Sequence, residues 1–231
     1  MVENDESDES DEASARSAQV IRQLRGFLGP RPAAPVEERC EFCGQLLPSR
    51  HSHVVHIERR NLLCACRPCY LLFSSAGAAG GKVKAVPEDV YDLGESVFSP
   101  AQWDRLQVPV NLAFFFFNSS LGRTVVFYPS PAGATESLLP LETWEDLVRE
   151  HPRLATLSQD VEALLVWQRS ERSETSETSD RPSAALIVPI DSCYELVGIV
   201  RRCWKGFHGG EEAWQAITAF FSALRARASR A

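Results

Sequence analysis

The chain has 231 residues, 44% of them hydrophobic and 9% aromatic, which supports a buried core and excludes a disordered or fibrous protein. Its formal charge of −7 arises at the start, where Glu3, Asp5, Glu6, Asp8, Glu9, Asp11 and Glu12 stand without a base; beyond them the 24 Lys and Arg meet an equal number of acids. A neutral body gives no electrostatic reason to expect a nucleic-acid partner.

In chain order, the acidic start is the opposite of the cationic, then apolar layout of a secretion signal. No run approaches the ~20 apolar residues of a membrane helix, so a cytoplasmic protein without membrane insertion is expected. Residues 1–35 read as a solvated acidic tail, a short amphipathic helix over 15–28 and a Pro-rich linker. Residues 36–80 hold the cysteine module, closed by a Ser/Ala/Gly connector. Residues 81–231 read as an α+β domain. Lys82–Val86 is a candidate strand, and Ser99-Pro100 opens a helical turn. The runs 111–117 and 124–128 form a hairpin by composition and loop length. Trp144, Leu147 and Val148 mark a helix with acids in its first turn. The runs 161–167 and 184–188 form another strand pair, flanking a flexible Ser/Glu/Thr loop at 170–183. Ser192-Cys193-Tyr194-Glu195 has the pattern of a capping box. Trp214, Ile217, Phe220, Phe221 and Leu224 stripe a last helix. The order ββαββαα predicts a mainly antiparallel four-stranded sheet covered by helices, preceded by a small zinc-ribbon-like, or rubredoxin-like, module.

Five of the seven cysteines fall between Cys40 and Cys69. In a chain without an export signal this clustering points to metal ligation rather than disulfides. Cys40-Glu41-Phe42-Cys43-Gly44 is a metal knuckle: two thiolates three positions apart converge when the turn is tight, and Gly44 can adopt positive φ. Cys66-Arg67-Pro68-Cys69 repeats the gap after 22 intervening residues. Cys64 is an alternative ligand, because it shares a strand face with Cys66. Position 70 is Tyr where a second Gly would be usual. His51, His53 and His56 offer a three-cysteine, one-histidine variant and otherwise read as surface or supporting groups. Four thiolates suit Zn²⁺, with Fe as the alternative, and a closed shell leaves no position for catalysis.

The cysteine pairs with the intervening histidines and Asn61 superficially resemble an HNH nuclease, but Tyr70 stands where a further metal ligand belongs. Arg50, Arg59, Arg60 and Arg67 make the module locally basic. Farther on, Ser130, Pro131, Gly133, Thr135 and Glu136 lie in a small-residue loop that reads first as a turn and second as a ligand or docking loop. No base stands beside those hydroxyls in the sequence. Cys193 and Cys203 read as small buried hydrophobes.

Six strings, CEFCG at 40–44, ERRNLLCACRPC at 58–69, AFFFFNSS at 113–120, VVFYPSPAGATESLL at 125–139, VPIDSCYELVGIVRR at 188–202 and WKGFHGGEEAW at 204–214, carry a family resemblance. With them the chain resembles an uncharacterised bacterial domain-of-unknown-function family associated with gene clusters of high-affinity nickel–iron hydrogenases. That resemblance implies an accessory role, with a hydrogenase subunit or maturation factor as protein partner. The reading as a whole is a non-catalytic, zinc-stabilised adaptor. Its alternatives are a rubredoxin-like iron electron carrier and a nucleic-acid-binding or nuclease module.

Overall fold

The strand Leu112–Asn118 (β5) carries four consecutive phenylalanines, and both of its faces are buried. A strand can be apolar at every position only where layers cover it on both sides. That is the arrangement here. The structure, a computed structural model, describes residues 37–230 except 76, 96, 107, 109, 138–140, 169–182, 207 and 208. The acidic tail, the 15–28 helix, the Pro-rich linker and nearly all of the 170–183 loop lie outside the described residues.

The large sheet is built from Tyr91–Gly94 (β4), β5, Arg123–Ser130 (β6), Gly133–Ser137 (β7), Glu162–Trp167 (β8), Ala184–Pro189 (β9) and Ser229–Arg230 (β10). Its spatial order is β10-β4-β9-β8-β5-β6-β7, antiparallel except for the β10–β4 pair. The expected four strands are its centre, β9-β8-β5-β6. The sheet is nevertheless seven-stranded rather than four-stranded, because β4 and β10 extend one side and β7 the other.

Register sorts the side chains onto two faces, with Phe114 opposite Leu165 and Phe115 opposite Leu164. Leu112, Phe114, Phe116, Leu165, Trp167 and Leu186 pack beneath two helices, Ile190–Cys203 (α4) and Gly210–Arg227 (α5). The alternate set, including Phe115, Leu164, Val166 and Ile187, packs under Pro100–Arg105 (α2), Leu141–Glu150 (α3) and the 3₁₀ turn Pro152–Thr156, through Trp103, Leu147 and Leu154. Each such large side chain contributes about 1.5–3 kcal/mol by leaving water, which makes the three-layer core the main source of stability.

Helix entry differs from expectation at one point. α4 begins at Ile190 with Pro189 in the capping position and no side-chain cap. Ser192 therefore lies inside the first turn, where Asp191 Oδ1 accepts from its backbone N–H at 2.7 Å. The reciprocal capping box belongs instead to Ser99 and Gln102, at the start of α2.

The small sheet has the order β2-β1-β3, from Ser52–His56 (β1), Asn61–Ala65 (β2) and Val83–Ala85 (β3). The helix Arg67–Leu72 (α1) follows β2. Val54, Ala65, Tyr70 and Val83 make its core. A module ending at residue 80 would leave β1 without β3, so this sheet extends to Ala85. Val55 and Leu62 pack into the larger core, and Lys84 Nζ reaches the carbonyl of Gln159 at 3.1 Å. Residues from Glu38 onward form one compact unit. Among the described residues no helix is long and apolar enough to cross a membrane.

Candidate metal centre

The first knuckle is a tight reversal. Arg39 bridges to Leu46, the Cys40 N–H donates to Gln45 O at 2.8 Å, and the Gly44 N–H donates back to Cys40 O at 2.8 Å. Gly44 sits at φ +74°, the left-handed conformation that exits the turn. The second knuckle leaves by another route. Cys66 is extended and caps α1, Pro68 occupies the first helical turn, and the Tyr70 N–H donates to Cys66 O at 2.9 Å. Position 70 is therefore helical, and nothing there requires glycine. The Tyr70 ring is buried and its hydroxyl donates to Val86 O at 2.9 Å, a structural role.

Glu41 ties the two knuckles together. Its N–H donates to Cys64 O at 3.0 Å, and the Cys64 N–H donates to Glu41 Oε1 at 2.9 Å. The Sγ atoms of Cys40, Cys43, Cys66 and Cys69 consequently lie within 4.8 Å of one another, with Cys43 and Cys66 at 3.6 Å. A tetrahedron with metal–sulfur arms of ~2.3 Å has edges of about 3.8 Å, so the four sulfurs surround a space of the right size for one ion. Cys40 and Cys66 are buried, Cys69 is half-buried and Cys43 is exposed.

The thiols are strongly unlike one another. Desolvation pushes Cys40 up, but the backbone N–H groups of Cys66, Phe42 and Cys43 outweigh it and hold this thiol at about 6. Cys69 is pushed up to about 12, chiefly by its side-chain hydrogen bond with Cys66 and then by burial. Cys43 is raised as well; the Gln45 backbone favours its thiolate, and the neighbouring sulfurs of Cys40 and Cys66 prevail against that. One proton leaves easily and each further negative charge resists the next. A divalent cation removes that conflict. The donor set thus fits a metal, and its thiolate chemistry fits a soft or borderline one.

The sequence as a whole places this centre in a family. A family profile matches residues 39–228, from the residue before the first knuckle to the end of α5. The chain belongs to DUF5947, a family of unknown function. No curated protein and no solved structure is similar enough to add a relative. The link to hydrogenase gene clusters has no support from these comparisons and remains an implication of resemblance.

In this DUF5947 chain Cys64 stands apart from the four-thiolate group and is gathered with His51 and His53. His56 is the last residue of β1, where its Nδ1 accepts from the Arg59 N–H at 3.3 Å and braces the turn that follows. Ser130, Pro131, Gly133, Thr135 and Glu136 shape the β6–β7 hairpin: the Ser130 and Thr135 hydroxyls are 3.1 Å apart, and Ser130 Oγ accepts from the Ala132 N–H. Glu136, held by Arg123 at 2.9 Å, also borders a groove of about 370 Å³ with Arg59, Arg60, Asn61, Asn118 and Asp160. Arg67 pairs with Glu88 at 2.8 Å. Burial pushes the Cys193 thiol well up, and Cys203 is half-buried. The sequence reading missed Glu41 as a bridge and Asp191, whose Oδ2 lies 3.0 Å from His53 Nδ1. Only an acid one residue past the Cys-x-x-Cys start hinted at the first, and nothing local hinted at the second.

Proposed function

We infer that this chain is a non-catalytic adaptor whose four thiolates hold a structural zinc ion, shaping a face that docks a protein partner. The observation that carries the reading is the convergence of Cys40, Cys43, Cys66 and Cys69 within 4.8 Å from two turns far apart in sequence. Zinc has no geometric demand beyond a closed tetrahedral shell, and structural zinc sites supply folding free energy directly. The small sheet stands to gain from that contribution, since its own core has four buried side chains among the described residues.

The docking half of the proposal rests on the knuckles' outer surface. Phe42 and Leu46 on the first knuckle and Leu71 and Leu72 on the second are all exposed, Leu72 to 69%. Large apolar side chains displayed on a metal-braced scaffold favour an apolar protein face. The resemblance to hydrogenase-associated proteins supplies the partner class, a hydrogenase subunit or maturation factor.

Metal analysis of natively purified protein together with its visible spectrum tests the centre. Zinc gives a colourless sample; a red ferric tetrathiolate spectrum would favour the rubredoxin-like alternative, in which the centre passes single electrons. For the docking face, Leu71→Glu with Leu72→Glu should abolish co-purification of hydrogenase-related proteins while leaving zinc content unchanged. Retention of those proteins by the double variant would remove the face from the account.

A further inference from the structure

We propose that His51, His53 and Cys64 form a second metal site, taking a Zn²⁺-class cation on three protein ligands with one position open to water or an exogenous ligand. The backbone brings them together. His51 immediately precedes β1 and His53 is its second residue, a spacing of two that puts both on one face of extended chain. Cys64 on β2 is the direct antiparallel partner of His53, and residues opposite one another share a face. One donor atom from each of the three lies within 4.8 Å of the others, and the two imidazole centroids are 4.7 Å apart.

The hydrogen bonds fix which nitrogens keep a free lone pair. His51 Nδ1 is 3.0 Å from Pro48 O, a carbonyl that can only accept, so this nitrogen carries the proton. The Glu38 carboxylate lies 3.5 Å from the same nitrogen. His53 Nδ1 is 3.0 Å from Asp191 Oδ2, again an acceptor. Both rings therefore present Nε2 as the lone-pair nitrogen. The His51 side chain is only 6% exposed, and its Nε2 has no hydrogen-bond partner among the described residues. A buried lone pair without a donor is costly, and a metal ion is the partner that answers it. A ring N–H held by a carboxylate or a carbonyl while the other nitrogen points inward is the outer-shell pattern of histidine metal ligands.

The chemistry selects the cation. Two neutral imidazoles and one thiolate make a borderline donor set, suited to Zn²⁺. Glu38 and Glu41 place negative charge near Cys64, and Asp191 adds charge behind His53, so the surroundings favour a cation. Three protein ligands leave the fourth tetrahedral position open, and the partial exposure of His53 and Cys64 gives solvent a route to it. This separates the site from the closed four-thiolate centre, with which it has no ligand in common.

Zinc stoichiometry on the purified full chain, saturated with Zn²⁺ and desalted, tests the proposal. Two zinc ions per chain are expected. His53→Asn keeps a side-chain N–H for Asp191 but loses the ligand nitrogen, and Cys64→Ser keeps both backbone bonds to Glu41; each should hold one. Circular dichroism matching the parent shows that the fold persists. Should either variant lose its fold, Co²⁺ titration of the parent decides: a tetrathiolate spectrum followed by a second one with weaker thiolate charge transfer supports the site, and a single component overturns it. One zinc per parent chain, unchanged by His53→Asn and Cys64→Ser, likewise overturns this site and leaves the four-thiolate centre standing. Two zinc ions that both survive these substitutions overturn it too, whereas a single parent zinc that is lost with His53→Asn but retained in Cys43→Ser would support it and contradict the four-thiolate centre instead.

Discussion

Glu41 and Cys64 exchange two hydrogen bonds, N–H to carbonyl at 3.0 Å and N–H to carboxylate at 2.9 Å, so the strand that leads into the second knuckle is fastened to the first. Neither residue belongs to the four-sulfur group, yet the pair aligns the two halves that do. The acid inside Cys40-Glu41-Phe42-Cys43 is thereby a structural fastener rather than a ligand.

Removing that fastener should loosen the centre without dismantling it. Glu41→Ala loses one charge-assisted bond at an exposed position, a cost of about 1 kcal/mol, and zinc release to a chelator should accelerate several-fold. Glu41→Gln keeps an acceptor oxygen and should lie close to the parent. Equal release rates for the parent and the alanine variant would show that the bond does not brace the knuckles.

Metal loss should unfold one part of the chain selectively. Cys43→Ser is expected to release the ion from the four-thiolate centre and to strip hydrogen-exchange protection from β1, β2 and β3. Amides of β8 and β9 sit between covered faces of the large sheet and should stay protected. Protection of β1 and β2 that persists in the metal-depleted variant would mean that the small sheet folds on its own contacts.

Zinc binding should release protons. Cys43 and Cys69 are held as thiols at neutral pH, the latter up to about 12, whereas Cys40, at about 6, is already a thiolate there. Binding at pH 7 therefore displaces at least the protons of Cys43 and Cys69, and affinity rises with pH because the proton and the metal compete for the same sulfurs. Calorimetry in buffers of different ionisation enthalpy measures the number. Buffer-independent heats would contradict this order of thiol acidities.

The large core should respond in the ordinary way to a cavity. Phe115 is fully buried, 5.2 Å from the Phe98 ring and 5.9 Å from the Trp144 ring. Phe115→Ala should cost about 3–5 kcal/mol in denaturant unfolding. A loss below about 1 kcal/mol would mean that the layer containing α2 and α3 does not seal this face.

The legible part of the fold was the part with strong periodicity or spacing. The knuckles announce themselves by two Cys-x-x-Cys gaps, and β5, β6, β8 and β9 by apolar runs of strand length. The remaining strands are weak signals for physical reasons. β10 has two residues, β4 carries a register shift between Asp92 and Gly94, and β7 reads Gly-Ala-Thr-Glu-Ser, composed of small and polar groups. Cys64 and Cys66 were indistinguishable as ligands in the sequence because both fit one strand face. The strand ends at Ala65, so Cys66 turns into α1 while Cys64 stays in the ladder opposite His53. Ladder register and the 138-residue span from His53 to Asp191 are tertiary facts, which no local pattern encodes.

The central claim is that four sulfurs from two turns enclose one zinc ion. X-ray absorption at the zinc edge on the Cys64→Ser variant, which isolates that centre, tests it most directly. The account predicts near-stoichiometric zinc in a shell of four sulfurs at ~2.3 Å; a shell dominated by nitrogen or oxygen, or protein that carries no metal, would contradict it.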